Sequence, residues 1–322
     1  MKAFGPVPSR RLGQSLGINN IPPKVCTYSC VYCQVGRTSH LQTERRAFYR
    51  PEEIVEEVVA KVEKTREIGG AIDYLTFVPD GEPTLDINLG RTIDLLKPLG
   101  IRIAVITNGS LLWREDVRAE LGNADLVSVK VDAASESVWR RLDRPHRSLR
   151  LAVVQDGILG FARTFKGELT TETMLIKDVN DRDGDIEQLA DLLAKLKPDT
   201  AYLAIPTRPP AEDWVRPPNE EVVNRTFQII SNRIVHVEYL IGYEGDAFSC
   251  IGDPEQDLLS ITAVHPMRED AVKKFLSGAG REWGLIRQLI DAGCLVETEY
   301  RGRKFYMRRF GKIETRGGRS SP

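Results

Sequence analysis

Eight consecutive positions constrain this chain more than any other stretch: Cys26-Thr27-Tyr28-Ser29-Cys30-Val31-Tyr32-Cys33 carries three of its five cysteines, with three and then two residues between them. That is ligand spacing. Three thiolates on one loop can hold three irons of a cubane [4Fe-4S] cluster, and with no fourth cysteine nearby the last iron is left open to a substrate or cofactor. Two other readings exist. A structural zinc site has four ligands, commonly in pairs, and His40, in the polar Thr38-Ser39-His40-Leu41-Gln42 loop, is the nearby candidate for a fourth. A disulfide reading leaves an odd cysteine, in a chain with no visible secretory segment.

At 322 residues the chain exceeds a typical single domain, so one large domain plus a small one, or a single barrel, is expected. Hydrophobic content of 41%, 28% charged residues and a net charge of -1 are ordinary for a globular protein. They give no overall bias toward polyanions, so any nucleic-acid surface must be local. Met1 to Gly13 lacks a continuous apolar core, and no apolar run is long enough to cross a bilayer. A cytoplasmic enzyme without membrane association is the expectation.

Phe4 to Gly13 is rich in turn formers and is expected to be irregular, leading into a strand around Ser15 to Ile18. Pro51 suits the first position of a helix, Glu52 and Glu53 complement its positive end, and Ile54, Val55, Val58, Val59 and Val62 form one apolar face. Tyr74 to Val78 then reads as a buried strand. The alternation continues: strands are expected at Ile101 to Thr107, Leu126 to Val131, Leu169 to Ile176, Tyr202 to Ile205 and Val235 to Ile241, with helices between them. About seven strands separated by helices predict an α/β chain folded as an incomplete (β/α) barrel.

In parallel barrels the chemistry gathers at the carboxyl ends of the strands. Gly81-Glu82-Pro83 follows one strand and also reads as a plain turn, while Thr107 and Asn108 end the next. Ser128, Lys130 and Asp132 alternate along a third and so share a face. A lysine and a carboxylate inside a barrel need partners, either each other or a bound cofactor or substrate. Thr171 and Thr173 share a face with Glu172 opposite, and Ile205 closes a later strand; each is as readily a packing residue. Trp214 and Arg216 lie in a Pro-rich loop that can cover the barrel mouth. Arg10 and Arg11 suit an anionic group, or are simply a solvated basic pair.

Residues 243–256 read as a linker, with two glycines, a proline and several acids. Residues 257–310 then carry two helices, Arg268 to Leu276 and Glu282 to Ala292, and a hairpin around Arg301-Gly302-Arg303, the order of a small winged-helix-like domain. The hairpin places Arg301, Arg303, Lys304, Tyr306 and Arg308 as candidate nucleic-acid contacts, with Tyr300 and Phe305 interleaved. The alternative is a solvated edge whose charges prevent aggregation. Cys294 reads as a small core residue, and residues 311–322 as a flexible tail.

Tyr32, an aromatic directly before the third cysteine, completes a pattern that resembles the radical S-adenosylmethionine (SAM) superfamily. Pro8-Ser9-Arg10-Arg11-Leu12-Gly13 resembles a little-characterised group of Fe-S oxidoreductases classed near the wyosine-type tRNA-modifying enzymes. The resemblance covers residues 1–242 and implies a partial (β/α)6-type barrel. It also implies SAM on the open iron, cleaved reductively to a 5′-deoxyadenosyl radical that abstracts hydrogen from a substrate. An electron donor such as ferredoxin or flavodoxin is implied as partner. Tyr32, Gly81, Glu82, Pro83, Thr107, Asn108, Ser128, Lys130, Asp132 and Ile205 are then the SAM-binding candidates, with Asp80 standing where the family has the first Gly of a Gly-Gly-Glu-like segment. A tRNA base bound partly through the C-terminal domain is the first expectation for the substrate. The wyosine-forming enzymes carry a second cluster, whereas only Cys250 and Cys294 remain here. A peptide, protein or small metabolite, including glycyl-radical activation of a partner enzyme, is the next reading, and a zinc-dependent nucleic-acid-binding protein the non-enzymatic one.

Overall fold

The computed structural model describes residues 1–241, 248, 250 and 252–309. Its main sheet has eight strands: β1 (Ala3–Ser9), β2 (Gly13–Ile18), β5 (Tyr74–Phe77), β6 (Arg102–Thr107), β7 (Leu126–Lys130), β8 (Glu168–Met174), β9 (Thr200–Ala204) and β10 (Val237–Leu240), in that spatial order. The short pair β3 (Val25–Cys26) and β4 (His40–Leu41) lies apart from it. From β2 onward every neighbour pair is parallel, and the sheet curls as a partial barrel. The seven parallel strands are the seven expected from the sequence.

Helices α1 (Pro51–Glu67), α2 (Leu89–Leu96), α3 (Glu115–Leu121), α4 (Glu136–Leu142), α5 (Leu151–Thr164), α6 (Asp183–Leu196) and α7 (Glu220–Ser231) follow the alternation. In α1, Pro51 opens the helix, Glu52 and Glu53 sit in the first turn, Lys64 and Arg66 in the last, and Ile54, Val58 and Val62 are buried against the sheet. Val127, Val129 and Val131 face this same helix-side core. Ser128 and Lys130 therefore point to the barrel interior.

One stretch differs from expectation. Phe4 to Ser9, read as irregular, belongs to β1, which pairs antiparallel with β2. Pro6 and Pro8 are tolerated because β1 is an edge strand, where missing amide donors cost little. Phe4 lies over Gly17, its partner across the pair, so closely that a Cβ there would stand 2.0 Å from the ring.

The C-terminal part contains α8 (Pro254–Val264), β11 (Met267–Arg268), α9 (Glu269–Gly278), α10 (Gly284–Asp291) and the hairpin β12 (Leu295–Tyr300) and β13 (Arg303–Arg308). Two helices and a hairpin appear in the expected order. Helix α8 was not expected, and it begins three residues inside the stretch read as linker; residues 242–247, 249 and 251 of that region, and 310–322 of the expected tail, lie outside the described residues. Every residue of α8 from Asp257 to Val264 is buried. It packs with Phe4 and Val7 of β1, Phe275 of α9 and Tyr306 of β13 in a second apolar core. A partly buried ion pair, Lys61 to Asp257 at 2.9 Å, joins α1 to α8. Cys294, read as a core residue, is partly buried at the margin of this core.

Between β5 and α2 the chain makes a short turn, Pro83–Leu85, braced by the buried Asp86. The Asp86 carboxylate accepts from the Asn88 amide at 3.0 Å and from Asn20 Nδ2 at 3.3 Å, and Asn20 also donates to the Pro83 carbonyl. Burial pushes its pKa up to about 6, against the opposing hydrogen bonds. A carboxyl held above its unfolded value near 4 binds a proton in the native state that the unfolded chain has lost. Its contribution is therefore present below about pH 4 and lost as pH rises toward 6, by about 3 kcal/mol. Asp86→Asn should flatten the pH dependence of the urea midpoint between pH 4.5 and 6.5. An unchanged slope would locate the buried titration elsewhere. Gly17→Ala should cost about 1–3 kcal/mol, because Phe4 cannot shift without disturbing the second core; a melting curve coincident with the parent's would contradict this.

Candidate active site

The carboxyl ends of the parallel strands and the cysteine loop enclose a cavity of about 290 Å³. Cys26, Cys30 and Cys33 all line it, and none is in a disulfide. Cys26 ends β3, and a tight turn follows in which the Cys33 amide donates to the Cys30 carbonyl at 3.2 Å. The loop is fastened from both sides. Val31 is fully buried, and its amide donates to the Leu142 carbonyl at 2.9 Å. On the other side Lys24 donates to Asp80, and Glu82 donates to Val25, through backbone amides at 2.8 and 3.1 Å. Gly81 between them has to be a glycine: a Cβ would fall 1.9 Å from the Val25 carbonyl oxygen.

Burial pushes all three thiols up, Cys26 to about 12 with Glu82 adding to the shift, and Cys33 against the opposing pull of Lys24. Buried thiolates of this kind require a compensating cation. Among the described residues, no three thiol, imidazole or carboxylate groups converge to hold one metal ion. His40 is exposed on β4, its ring 3.0 Å from Ser39 Oγ, and it does not line the cavity.

Glu82 is a buried junction. Its Oε1 accepts from the Thr84 amide at 3.1 Å, from Thr84 Oγ1 at 2.6 Å and from Thr107 Oγ1 at 2.6 Å, while Oε2 accepts from the Asn108 amide at 2.8 Å. Asn108 continues the chain: its Nδ2 donates to Thr27 Oγ1 at 2.7 Å and reaches Cys26 Sγ at 3.7 Å. Glu82, Thr107 and Asn108 thus meet at the cavity, as the sequence predicts. Pro83 lies behind it in the turn, with only its carbonyl engaged.

Tyr32 lines the cavity and donates its hydroxyl to Asp132 and, at 3.3 Å, to Asp143. Asp132 also accepts from the Met174 amide at 2.6 Å. It supports Tyr32 and does not face the cavity, so the expectation of direct cofactor contact is corrected. Lys130 does face it, with Nζ 4.9 Å from the centre of the Tyr32 ring and 2.8 Å from Glu172 Oε1. The pairing of Lys130 with Asp132 considered from sequence is the longer contact, at 4.0 Å. Arg11 Nη1 meets Glu172 Oε2 at 2.5 Å and Ser128 Oγ at 3.2 Å. Ser128 is therefore held below the cavity by Arg11 rather than lining it.

Glu172 is the residue sequence reasoning undervalued. Burial raises its pKa, but Lys130 and Arg11 carry it down to about 2. Burial would lower Lys130, yet Asp132 and Glu172 raise it. The signal lay in register: Glu172 stands opposite Lys130 on the neighbouring strand. Thr171 and Thr173 point the other way, and Thr173 Oγ1 donates to the Val131 carbonyl at 2.7 Å. Ile205 lines the cavity beside Pro206. Trp214 is exposed and Arg216 donates to the Val215 carbonyl at 2.8 Å; neither lines the cavity.

The hairpin residues divide between two faces. Arg301 and Arg303 line a separate cavity of about 450 Å³, with Thr207 shared between it and the first. Lys304 is paired with Glu297 at 2.8 Å. Tyr306 is buried in the second core and bonded to Glu297, so it cannot stack on a base; Tyr300 and Phe305 are buried too. Arg308 is exposed on the Lys304 side, near enough to Asp80 to lower that carboxyl against the burial that raises it to about 7. The cysteine loop itself touches the C-terminal part: Gln34 Nε2 donates to the Val264 carbonyl at 2.9 Å, and Arg208 bridges Gln34 Oε1 and His265 Nε2, each at 2.8 Å.

Residues 20–193 match the radical SAM superfamily. A UPF0026 protein of Methanocaldococcus jannaschii is 46% identical over 309 residues, 95% of each chain. A protein named a probable dual-specificity RNA methyltransferase, from Thermotoga sp. (strain RQ2), is 23% identical over 65% of this chain and 60% of its own. Among solved structures, a radical SAM methyltransferase from Sphaerobacter thermophilus matches in fold with a TM-score of 0.56, at 21% identity over 70% of this chain and 66% of that one. No helix among the described residues is long and apolar enough to cross a membrane. With its cysteine loop at the carboxyl ends of a partial barrel, the chain belongs to the UPF0026 family of the radical SAM superfamily, S-adenosylmethionine-dependent iron-sulfur enzymes whose cofactors are a [4Fe-4S] cluster and SAM.

Proposed function

We propose that Cys26, Cys30 and Cys33 hold the cluster, that SAM occupies the cavity they line, and that the substrate is a base of an RNA. The observation that carries the site assignment is the meeting of three unpaired thiols with Glu82, Asn108, Lys130 and Ile205 around one cavity. Cys26, Cys30 and Cys33 would hold a cluster that, when bound, would supply the electron for reductive cleavage of SAM and so the hydrogen-abstracting chemistry. Lys130, anchored by Glu172, presents an ammonium to the SAM carboxylate. Ile205 and Pro206 offer an apolar wall to its adenine. Asn108, donating toward Cys26 Sγ, orients that ligand and raises the cluster's potential. An external one-electron donor such as ferredoxin or flavodoxin would reduce the cluster.

Two features support RNA: the named activity of the Thermotoga relative, and the arginine-lined cavity that shares Thr207 with the SAM cavity. On this reading residues 1–241 form the catalytic core, and the accessory part begins with α8 at Pro254.

Anaerobic reconstitution tests the site. The reduced chain should give one cubane electron paramagnetic resonance signal that changes with SAM, and should release 5′-deoxyadenosine. Cys26→Ala, Cys30→Ala and Cys33→Ala should each reduce that product to background. Gly81→Ala should lose iron, because its Cβ displaces the loop at Val25. Lys130→Met should weaken SAM about 10- to 100-fold. Bound zinc with neither iron signal nor SAM cleavage would refute the assignment.

A further inference from the structure

We infer that the outer face of the cysteine loop, where Arg37, Arg144 and Trp214 stand at the surface around Glu212, docks an acidic protein that carries one electron to the cluster. That the cluster sits on Cys26, Cys30 and Cys33 rests on the reading above; the face itself rests on geometry.

The Pro-rich loop after β9 is laid against the back of the cysteine loop. The Glu212 amide donates to the Val31 carbonyl at 3.1 Å, and the Ser29 amide donates to the Asp143 and Arg144 carbonyls at 3.0 and 3.2 Å, so both contacts fall one residue from Cys30. The Glu212 side chain is only 8% exposed and receives two guanidiniums, Arg37 through both oxygens at 2.9 and 2.8 Å and Arg144 through Oε1. Those arginines are 71% and 40% exposed, so two outward cations share one buried carboxylate. Arg144 stands at φ +45°, where glycine or asparagine is usual, yet the residue present carries a guanidinium. Two residues past Glu212, Trp214 is 45% exposed, between the exposed Asp213 and an Arg216 that folds back on the Asp213 and Val215 carbonyls.

Each feature narrows the partner. An exposed tryptophan flanked by arginines is the composition of a protein-interface anchor. Guanidiniums held outward by a buried acid favour an acidic partner surface and speed its encounter. Position supplies the third step. Arg37, Arg144, Glu212 and Trp214 lie outside the SAM cavity, so the face stays open with SAM bound. From it a short route reaches a cluster ligand, through the Glu212 N–H to the Val31 carbonyl and then one residue to Cys30. One electron leaves the carrier, which is oxidised by one equivalent, and the cluster is reduced by one; no covalent bond forms or breaks. Electron-transfer encounters are transient and need only a small interface, which one indole and two arginines can anchor.

The test is anaerobic stopped-flow reduction of the reconstituted protein by flavodoxin hydroquinone, followed at the cluster absorbance across rising salt, with dithionite as the small-molecule reductant for comparison. The parent's second-order rate should fall as salt rises. Arg37→Gln and Arg144→Asn should each lower it about threefold to tenfold at low salt and weaken its salt dependence, and Trp214→Ala should lower it about fivefold to tenfold at every salt concentration. Asparagine tolerates the left-handed backbone at 144. Arg102→Gln, which removes an exposed arginine at the amino ends of the strands, should leave the rate unchanged. Melting temperature and dithionite-driven 5′-deoxyadenosine release should match the parent's in the three face variants. Parent-like flavodoxin rates in those variants would overturn the docking face and leave the cluster assignment intact, as would a parent that dithionite reduces and flavodoxin does not. Concentration-dependent dimerisation of the parent, lost in Trp214→Ala, would give the face to a second copy of the chain and overturn the carrier. Absence of a cubane signal after dithionite would overturn both.

Discussion

A buried carboxylate at the end of β5 sets the geometry on which the site depends. Glu82 is inside the protein and accepts four hydrogen bonds, from Thr84, Thr107 and Asn108. A carboxylate without them would be driven toward protonation; with them, the donors oppose the upward shift that burial imposes. Two of those donors sit at the end of β6, so the strand ends cannot separate without stranding a buried acid. Asn108 then passes the constraint to Thr27 and Cys26. The cysteine loop is irregular backbone, yet it is as firmly placed as the sheet because it hangs from this junction and from the Gly81 contact at Val25.

Charge balance explains why the interior tolerates Lys130. Glu172 lies between Lys130 and Arg11, and each cation favours its ionised form. Around the cavity as a whole, Arg10, Arg11, Lys130 and Arg208 face the carboxylates of Glu82 and Glu172. The network also fixes the lysine's position: Glu172 holds it from one side and the Tyr32 ring lies beneath it, while Tyr32 is held by Asp132. Asp132, expected from its alternation with Lys130 to touch the cofactor, acts instead through the tyrosine.

What the sequence disclosed follows from what local pattern can encode. The cysteine spacing, the seven parallel strands and the polar strand ends were legible, because ligand spacing and hydrophobic periodicity are short-range properties. Strand β1 was hidden by Gly5, Pro6 and Pro8, which signal turns everywhere except on an edge. Helix α8 was hidden for the opposite reason: with Asp257 to Val264 all buried, it has no polar face to produce a period. The Arg11 to Glu172 pair spans 161 positions, and no local pattern announces it. Tyr306 was misjudged because basic and aromatic residues alternating on a strand do not reveal which face is covered.

Those two hidden elements belong to one arrangement. An exposed edge strand invites pairing with another chain unless something covers it, and β1 is covered by α8, with Phe4 and Val7 built into the core of the C-terminal part. The C-terminal residues are therefore not tethered loosely to the barrel; they share its edge. At the other end of α8, Val264 and His265 reach Gln34 and Arg208, one residue beyond Cys33 and on the strand-end loop respectively. A displacement of α8 would thus be felt at the edge strand and at the cluster loop together. The hairpin follows from the same packing: β13 leans on α8 and α9, which leaves the Arg303 and Phe305 face turned toward Thr207 and the mouth of the cavity.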